Sequence, residues 1–228
     1  HGLPSAGADL IEIGIPFSDP MADGSVIQKS SHAAIMQGFD MAQCLDDIRT
    51  FRQTHPNIPI VLMSYANPIV AYGADHFSVQ ASHVGVDGLL LVDVPPDYTQ
   101  SIFKKHVPLD FIRLITATTE SDRLTLIHKH SSGFNYYVSV KGITGTQTPD
   151  PTAIAKHVNS IKKQSHLPLV IGFGIQTPEM ASAMAEISDG IVVGSAVISP
   201  FINEHPNNYS SIIQQQLVLV QQMKLAVK

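Results

Sequence analysis

The feature that most constrains the fold is a repeat of short, β-rich apolar segments, each separated from the next by a helical pattern. Seven such segments occur, at residues 10–15, 59–63, 88–92, 111–115, 136–140, 169–171 and 191–193. Strands this apolar are buried on both faces, as in a parallel sheet covered by helices. Their alternation with helices therefore predicts a parallel α/β protein.

The parallel α/β fold that suits a chain of this length is the closed (β/α)8 TIM barrel, which needs eight strands, one more than the seven predicted here. The residues before Asp9 are too few for a strand and a helix, and residues 6–8 resemble the tail of such a unit. We therefore expect a TIM barrel whose first strand–helix unit is absent from this sequence. No linker or charge run divides the chain, which predicts one domain over residues 1–228. If that unit is deleted, the sheet keeps two unpaired edges.

Composition argues against several classes of function. The net charge of −5, without any cluster of Lys or Arg, argues against nucleic acid or an anionic membrane as partner. No apolar run approaches the ~18 residues of a membrane span, and the first residues lack a secretory signal pattern. The single Cys44 suits a reducing, cytoplasmic environment. The histidines show no metal-binding spacing, so no metal site is predicted.

The first apolar segment contains a carboxylate, Glu12, and the loop after it adds Asp19 and Asp23. A buried carboxylate must be paired, protonated or used in chemistry. The other strands offer no inward-facing base apart from Arg113, which favours a functional role for Glu12. Alone, each aspartate is an ordinary turn residue. Together, the three predict an acid/base site at the carboxyl end of a barrel strand.

Further candidates lie at other strand ends. Asp93 ends the third strand and is equally a catalytic residue or a helix cap, while Tyr65 and Tyr136 lie within reach of the barrel mouth. The core is expected to include Met21, Met36, Met41 and Met63.

Two Gly-rich turns, at residues 172–174 and 194–195, follow the last two strands. Barrels commonly bind phosphate there through backbone N–H groups, and Ser195 adds a hydroxyl donor. Each Gly alone would equally suit a tight turn, but the pair favours a phosphate site. Neither turn is a dinucleotide fingerprint, and residues 142–145 lack the end of a Walker motif. The polar segment 142–149 is instead expected to form a mobile lid.

Residues 10–24 resemble the signature of the tryptophan synthase α subunit family, since they spell Leu-Ile-Glu-Ile-Gly-Ile-Pro-Phe-Ser-Asp-Pro-Met-Ala-Asp-Gly. Further matches follow in order at residues 63–68, 92–95, 136–139, 142–145 and 172–175. The resemblance runs from about Gly7 to the C-terminal helix. The family's N-terminal helix and first strand have no counterpart in the sequence, in agreement with the seven segments.

The resemblance implies retro-aldol cleavage of indole-3-glycerol phosphate to indole and glyceraldehyde 3-phosphate. Glu12 matches the family's acid/base carboxylate, which moves protons between the glycerol hydroxyl and indole C3. Asp23 matches the acid that accepts the indole N–H, and Tyr136 matches the tyrosine near Glu12. The α chain needs no cofactor. Pyridoxal phosphate is expected in the β subunit, which receives the indole within an α2β2 heterotetramer.

The resemblance also assigns the remaining site residues. The phosphate cradle comprises Gly145, Phe173, Gly174, Gly194 and Ser195. The indole pocket is lined by Ile27, Met63, Tyr65, Leu90 and Val92. Loop closure and contact with the β subunit involve Pro16, Asp19, Asn67, Pro95 and Thr144. The two closing loops match residues 16–23 and 142–149.

Three alternatives stay open at this point. The first is another phosphate-binding barrel enzyme that acts on indole or ribulose phosphates. The Pro-Phe-Ser-Asp-Pro loop and the lack of a strand-end Lys argue against it. The second is a non-catalytic subunit that activates a β partner, against which Glu12 and Asp23 argue. The third is an inactive fragment, which would be unstable without its first strand–helix unit.

Overall fold

Seven parallel strands form a single sheet in the computed structural model, which describes residues 1–138, 151–172 and 174–227, with only the backbone for residues 151–153. The strands are β1 Ile11–Gly14, β2 Ile60–Ser64, β3 Gly88–Leu91, β4 Asp110–Thr116, β5 Asn135–Val138, β6 Leu169–Gly172 and β7 Gly190–Ile191. Each strand pairs in parallel with the next along the chain. The predicted parallel α/β architecture is confirmed.

Helices connect these strands in the described part of the chain. They are α1 Gly2–Ser5, α2 Ser25–Met36, α3 Met41–Arg52, α4 Ala66–Tyr72, α5 Ala74–Val84, α6 Thr99–Ile102, α7 Ser121–Lys129, α8 Pro151–Lys162, α9 Pro178–Ala185, α10 Ser195–Ile198 and α11 Tyr209–Ala226. Short 3₁₀ turns occupy Pro96–Tyr98, Ser199–Phe201 and Pro206–Asn208. None of the helices described is long and apolar enough to cross a membrane.

The segment after β2, which contains Asn67-Pro68, forms helix α4. Pro68 lies in the first turn of α4, where its missing N–H costs no intrahelical hydrogen bond. Asp93, at the end of the next strand unit, accepts a hydrogen bond from the Ala66 N–H at 2.8 Å. This contact supports the helix-cap interpretation of Asp93, since its carboxylate accepts from the first N–H of α4.

The two faces of the sheet have different neighbours. One face forms a cluster of strand side chains around Val61, Leu90, Ile112 and Tyr136. The other face packs against the helices, in one cluster with α3 and α5 and another with α8 and α9. Glu12 is in register with Val61, so its side chain belongs to the interior face.

Arg113 lies on the helix-covered face, next in sequence to the interior residue Ile112. Its guanidinium donates to the carbonyl of His130 at 3.3 Å and to the hydroxyl of Thr99, and it stacks 4.9 Å from the Phe111 ring centroid. The expectation of Arg113 as an inward-facing base is therefore wrong. None of its described contacts reaches Glu12.

The units of the two edge strands of the described sheet are connected through helices. In the hydrogen-bonded order, β1 and β7 are the two edges. Helix α11 packs against the N-terminal residues and joins them through Lys224, whose Nζ lies 2.7 Å from an Asp9 carboxylate oxygen. Helix α10 contacts α2. These contacts bring the first and last strand units together at the helical layer.

Two of the four methionines expected in the core lie elsewhere. Met41 is buried and Met63 packs partly buried against the interior cluster, as expected. Met21 and Met36 are 75% and 71% exposed. Met21 belongs to the loop after β1 and Met36 to the last turn of α2, and neither position faces the sheet.

Candidate active site

Glu12 presents a carboxylate to the interior of the sheet. Its Oε2 atom is buried and has no hydrogen-bond partner among residues 1–138, 151–172 and 174–227. Burial, with a smaller contribution from the negative charge of Asp23, raises the pKa of Glu12 to about 7. A carboxyl group with this pKa can both donate and accept a proton near neutral pH.

Asp23 is buried beside the hydroxyl of Tyr65. The Tyr65 hydroxyl donates to Asp23 Oδ2 at 3.0 Å and accepts from the Ala22 N–H at 2.9 Å. Burial raises the pKa of Asp23, and the hydrogen bond from Tyr65 partly opposes this shift. Tyr65 was predicted to line a pocket, and its hydrogen bond to Asp23 is a contact that the sequence did not predict.

Tyr136, on β5, lies in the interior cluster with an exposure of 6%. Burial and the charge of Glu12 raise the pKa of its phenol well above 10, so the hydroxyl stays protonated. Glu12 and Tyr136 lie on the same face of the sheet, since Val61, which is in register with Glu12, belongs to the cluster of Tyr136. Gly172 on β6 lies against the Tyr136 ring, since a Cβ at Gly172 would be 2.1 Å from the tyrosine Oη.

Apolar side chains of the same face surround these polar groups. Leu90 belongs to the interior cluster at 1% exposure, and Met63 and Val92 pack against it. Ile27 is partly buried on α2, immediately after the loop that carries Asp23. The structure therefore places three of the five predicted pocket residues in one cluster with Tyr136.

Of the predicted phosphate residues, Gly174, Gly194 and Ser195 follow the carboxyl ends of β6 and β7. Gly194 is the N-cap of α10, and Ser195 is its first residue; both are exposed. Gly174 has φ of +81°, a backbone conformation that favours glycine. A Cβ at Gly194 would meet nothing within 4 Å, so there is space beside this backbone. Gly145 and Phe173 lie outside the described residues.

Four of the five predicted loop and partner residues follow the carboxyl ends of β1, β2 and β3. Asp19, Asn67 and Pro95 are exposed and Pro16 is partly buried, whereas Thr144 lies outside the described residues. The same three connections carry exposed apolar side chains that the sequence analysis did not single out: Met21, Val70 and Tyr98. In parallel strands the carboxyl ends share one edge, so these residues belong to one end of the barrel.

Two residues of α2 that the sequence analysis missed hold the loop after β1. The side-chain amide of Gln28 donates to the Asp23 carbonyl at 2.8 Å, and the Ser31 hydroxyl bonds to Phe17. Both contacts join a side chain of α2 to the backbone of the loop before it, and no local sequence pattern marks them. No cluster of three metal-ligating side chains occurs within the described part of the chain.

The raised pKa of Glu12 predicts a pH-dependent stability. Because the folded state holds this proton more tightly than the unfolded state, the unfolding free energy contributed by Glu12 falls as pH rises from 4.5 to about 7. Below pH 4.5 no unfolding free energy is lost through Glu12. Above about pH 7 the loss is complete and amounts to about 3 kcal/mol. We expect Glu12→Gln to remove this pH dependence. Between pH 4.5 and about 7, the unfolding free energy of the variant should therefore rise by about 3 kcal/mol relative to that of the wild type.

Urea unfolding of both proteins at pH values from about 4.5 to about 8 measures the difference. Glu186→Gln, which removes an exposed carboxylate at the end of α9, is the control for the loss of one charge. Unfolding free energies of wild type and Glu12→Gln that run parallel over the whole pH range would contradict the prediction.

Comparison with known proteins adds an independent line of evidence. The family model described as tryptophan synthase alpha chain matches residues 1–228. The tryptophan synthase alpha chain of Phenylobacterium zucineum is 45% identical over 199 residues, covering 86% of this chain and 72% of the relative. That of Gluconacetobacter diazotrophicus is 46% identical over 202 residues, covering 87% and 73%.

Solved structures agree with these sequence matches. The tryptophan synthase subunit alpha of Legionella pneumophila superposes with a TM-score of 0.86 at 39% identity, covering 100% of this chain and 84% of that one. A tryptophan synthase structure from M. tuberculosis gives a TM-score of 0.83 at 28% identity, covering 99% and 84%. The likeness thus extends over the whole described sheet and its helices.

Proposed function

Since the chain belongs to the tryptophan synthase α chain family, we propose that Glu12, Asp23 and Tyr136 perform the reaction of that family in this protein. The family cleaves indole-3-glycerol phosphate to indole and glyceraldehyde 3-phosphate by a retro-aldol reaction. The observation that carries the assignment of residues is Glu12, a buried carboxyl group without a partner in the described residues and with a pKa of about 7.

The proposed mechanism uses Glu12 twice. Protonated Glu12 delivers its proton to indole C3, and the resulting positive charge spreads to the indole nitrogen. The Glu12 carboxylate then takes the proton of the glycerol hydroxyl. The C–C bond breaks to form the aldehyde, and its electron pair returns to the indole ring, so protons and charge balance. The carboxyl group ends in its starting state, which is the advantage of a pKa near the working pH.

Asp23 stabilises the charged intermediate in this mechanism. Its carboxylate accepts the indole N–H and lies opposite the positive charge on the nitrogen. The hydrogen bond from Tyr65 supports the proposal, because it orients Asp23 and favours its ionised form. Tyr136 keeps a protonated, neutral hydroxyl on the same face of the sheet as Glu12, so it is proposed to act as a neutral polar group in the site rather than as a second base.

The substrate would lie between the interior cluster and the ends of β6 and β7. We assign the indole pocket to Ile27, Met63, Tyr65, Leu90 and Val92. We assign the phosphate cradle to Gly145, Phe173, Gly174, Gly194 and Ser195. Support comes from the unoccupied space at Gly194 and from the first N–H groups of α10, which have no acceptor within the helix.

The family works with a β subunit, which receives the indole for tryptophan synthesis. We place the contact at the barrel end that carries Pro16, Asp19, Asn67, Pro95 and Thr144. The exposed apolar side chains of Met21, Val70 and Tyr98 support this position, because each belongs to a connection that follows the carboxyl end of one of these strands. An α2β2 heterotetramer is the assembly proposed.

We further propose that this chain needs no cofactor of its own and acts in the cytoplasm. Proton transfers suffice for the cleavage, and pyridoxal phosphate belongs to the chemistry of the β subunit. The free, buried thiol of Cys44 suits a reducing compartment.

The test is release of glyceraldehyde 3-phosphate from indole-3-glycerol phosphate by the purified protein, with and without a β subunit. We expect release in both cases and a faster rate with the β subunit present. A folded protein that releases nothing in either case would support the non-catalytic subunit. A chain without a cooperative urea transition would support the inactive fragment, and turnover of a different indole or ribulose phosphate would support the other barrel enzyme.

A further inference from the structure

The loop after β1, residues 16–23, is tied to other elements near both of its ends. Near its start, the hydroxyl of Ser31 on α2 accepts from the Phe17 N–H at 2.8 Å and donates to the Phe17 carbonyl at 3.0 Å. Near its end, the hydroxyl of Tyr65 binds the Ala22 N–H and the Asp23 carboxylate. One serine hydroxyl thus satisfies both backbone groups of a loop residue 14 positions away.

The two attachments meet at an aromatic contact. The rings of Phe17 and Tyr65 are 5.2 Å apart, centroid to centroid, at an interplanar angle of 37°. Ser31 holds the backbone of Phe17, the Phe17 ring packs on Tyr65, and the Tyr65 hydroxyl holds Asp23. These contacts form a continuous connection from α2 to the carboxylate.

We propose that Ser31 is a positioning residue, which orients the Asp23 carboxylate through Phe17 and Tyr65. This inference rests on the proposed function, in which Asp23 binds the indole N–H. An acid that stabilises a developing charge must be held in place before the charge forms. A loop of eight residues that is attached only through its two ends would not hold the carboxylate in a fixed position. Side-chain contacts near both ends of the loop do hold it.

The proposed role of Ser31 can be tested without weakening helix α2. Ser31 lies within the helix, where alanine is a better helix former than serine, so Ser31→Ala should not weaken α2 itself. The neighbouring Ser30 offers a matched control, because its hydroxyl makes no hydrogen bond within the described residues and Ser30→Ala is the same chemical change on the same helix.

The first experiment measures hydrogen exchange at the amides of Phe17 and Ala22, both of which are hydrogen-bonded to side chains. We expect Ser31→Ala to speed exchange about tenfold or more at Phe17, because its N–H loses its acceptor. We expect a similar increase at Ala22, because its hydrogen bond to Tyr65 opens more often when Phe17 is released. Ser30→Ala should change neither. Faster exchange at Phe17 with an unchanged rate at Ala22 would overturn the connection between the two ends.

The second experiment measures cleavage kinetics with a β subunit present. We expect Ser31→Ala to lower kcat about tenfold with little change in KM, since the lost interaction matters most when the charge develops. Ser31→Thr retains a hydroxyl and should recover part of the loss. In the Tyr65→Phe background, Ser31→Ala should have little further effect, because Ser31 acts through the missing hydroxyl; fully additive losses would overturn the proposal.

The two experiments separate the two possible failures. If the wild type does not cleave the substrate, the proposed function fails, and the exchange rates alone decide whether Ser31 orders the loop as far as Ala22. If the wild type is active but Ser31→Ala keeps wild-type kcat, the proposed function stands and the role of Ser31 is overturned.

Discussion

Glu12→Gln is expected to lower kcat/KM for cleavage of indole-3-glycerol phosphate by at least about 1000-fold, measured as glyceraldehyde 3-phosphate released with a β subunit present. The amide has nearly the shape of the carboxyl group but neither donates nor accepts a proton at neutral pH. Proton transfer by one positioned group contributes about 100- to 10,000-fold to a rate, and Glu12 is proposed to act in both directions.

The expected loss does not depend on misfolding. Oε2 of Glu12 has no partner among the described residues, so the substitution breaks no hydrogen bond that the structure shows, and it removes a buried charge. Glu186→Gln, on the surface, should retain full activity. Residual activity of Glu12→Gln above about a tenth of the wild type would show that another group supplies the proton.

Gly172→Ala is expected to damage stability and activity together. Its Cβ would be 2.1 Å from Oη, 2.4 Å from Cζ and 2.5 Å from Cε1 of Tyr136. The ring cannot move aside freely, because it is buried against Val61, Leu90 and Ile112. Overpacking of this kind costs about 1–3 kcal/mol of unfolding free energy. A displacement of about 1 Å in the site lowers the cleavage rate about 100-fold.

Gly190→Ala on the neighbouring strand β7 is the matched control. Its Cβ would come no closer than 3.4 Å to a side-chain atom of Val170, which is an ordinary contact. Urea unfolding and the cleavage assay compare the two variants. Wild-type values for Gly172→Ala would mean that Tyr136 has room to move and that its position is not critical to the site.

The sequence was sufficient for those features that rest on local patterns. The strands were predicted because each is a short apolar run between turn residues. The start of α9 was predicted because Thr177 precedes Pro178, and the Thr177 side chain does accept from the Met180 N–H. The importance of Glu12 also followed from the sequence, since a carboxylate inside an apolar strand is costly in any fold that buries it.

Features that depend on distant partners required the tertiary structure. The capping contact of Asp93 is one example, because its partner is the N–H of Ala66, 27 residues away. Arg113 was assigned to the wrong face, because both faces of its strand are apolar and a shift of one residue exchanges them. The contacts of Ser31 and Tyr65 with the loop after β1 likewise join residues 14 and 43 positions apart.

The chain by itself therefore determined the order of strands and helices and the presence of an acid in the sheet, because burial and backbone preference act on neighbouring residues. The tertiary structure alone decided which groups surround that acid and hold Asp23. Hydrogen bonds and close contacts depend on distances of a few ångströms between segments, and only the packing of the sheet and its helices sets those distances.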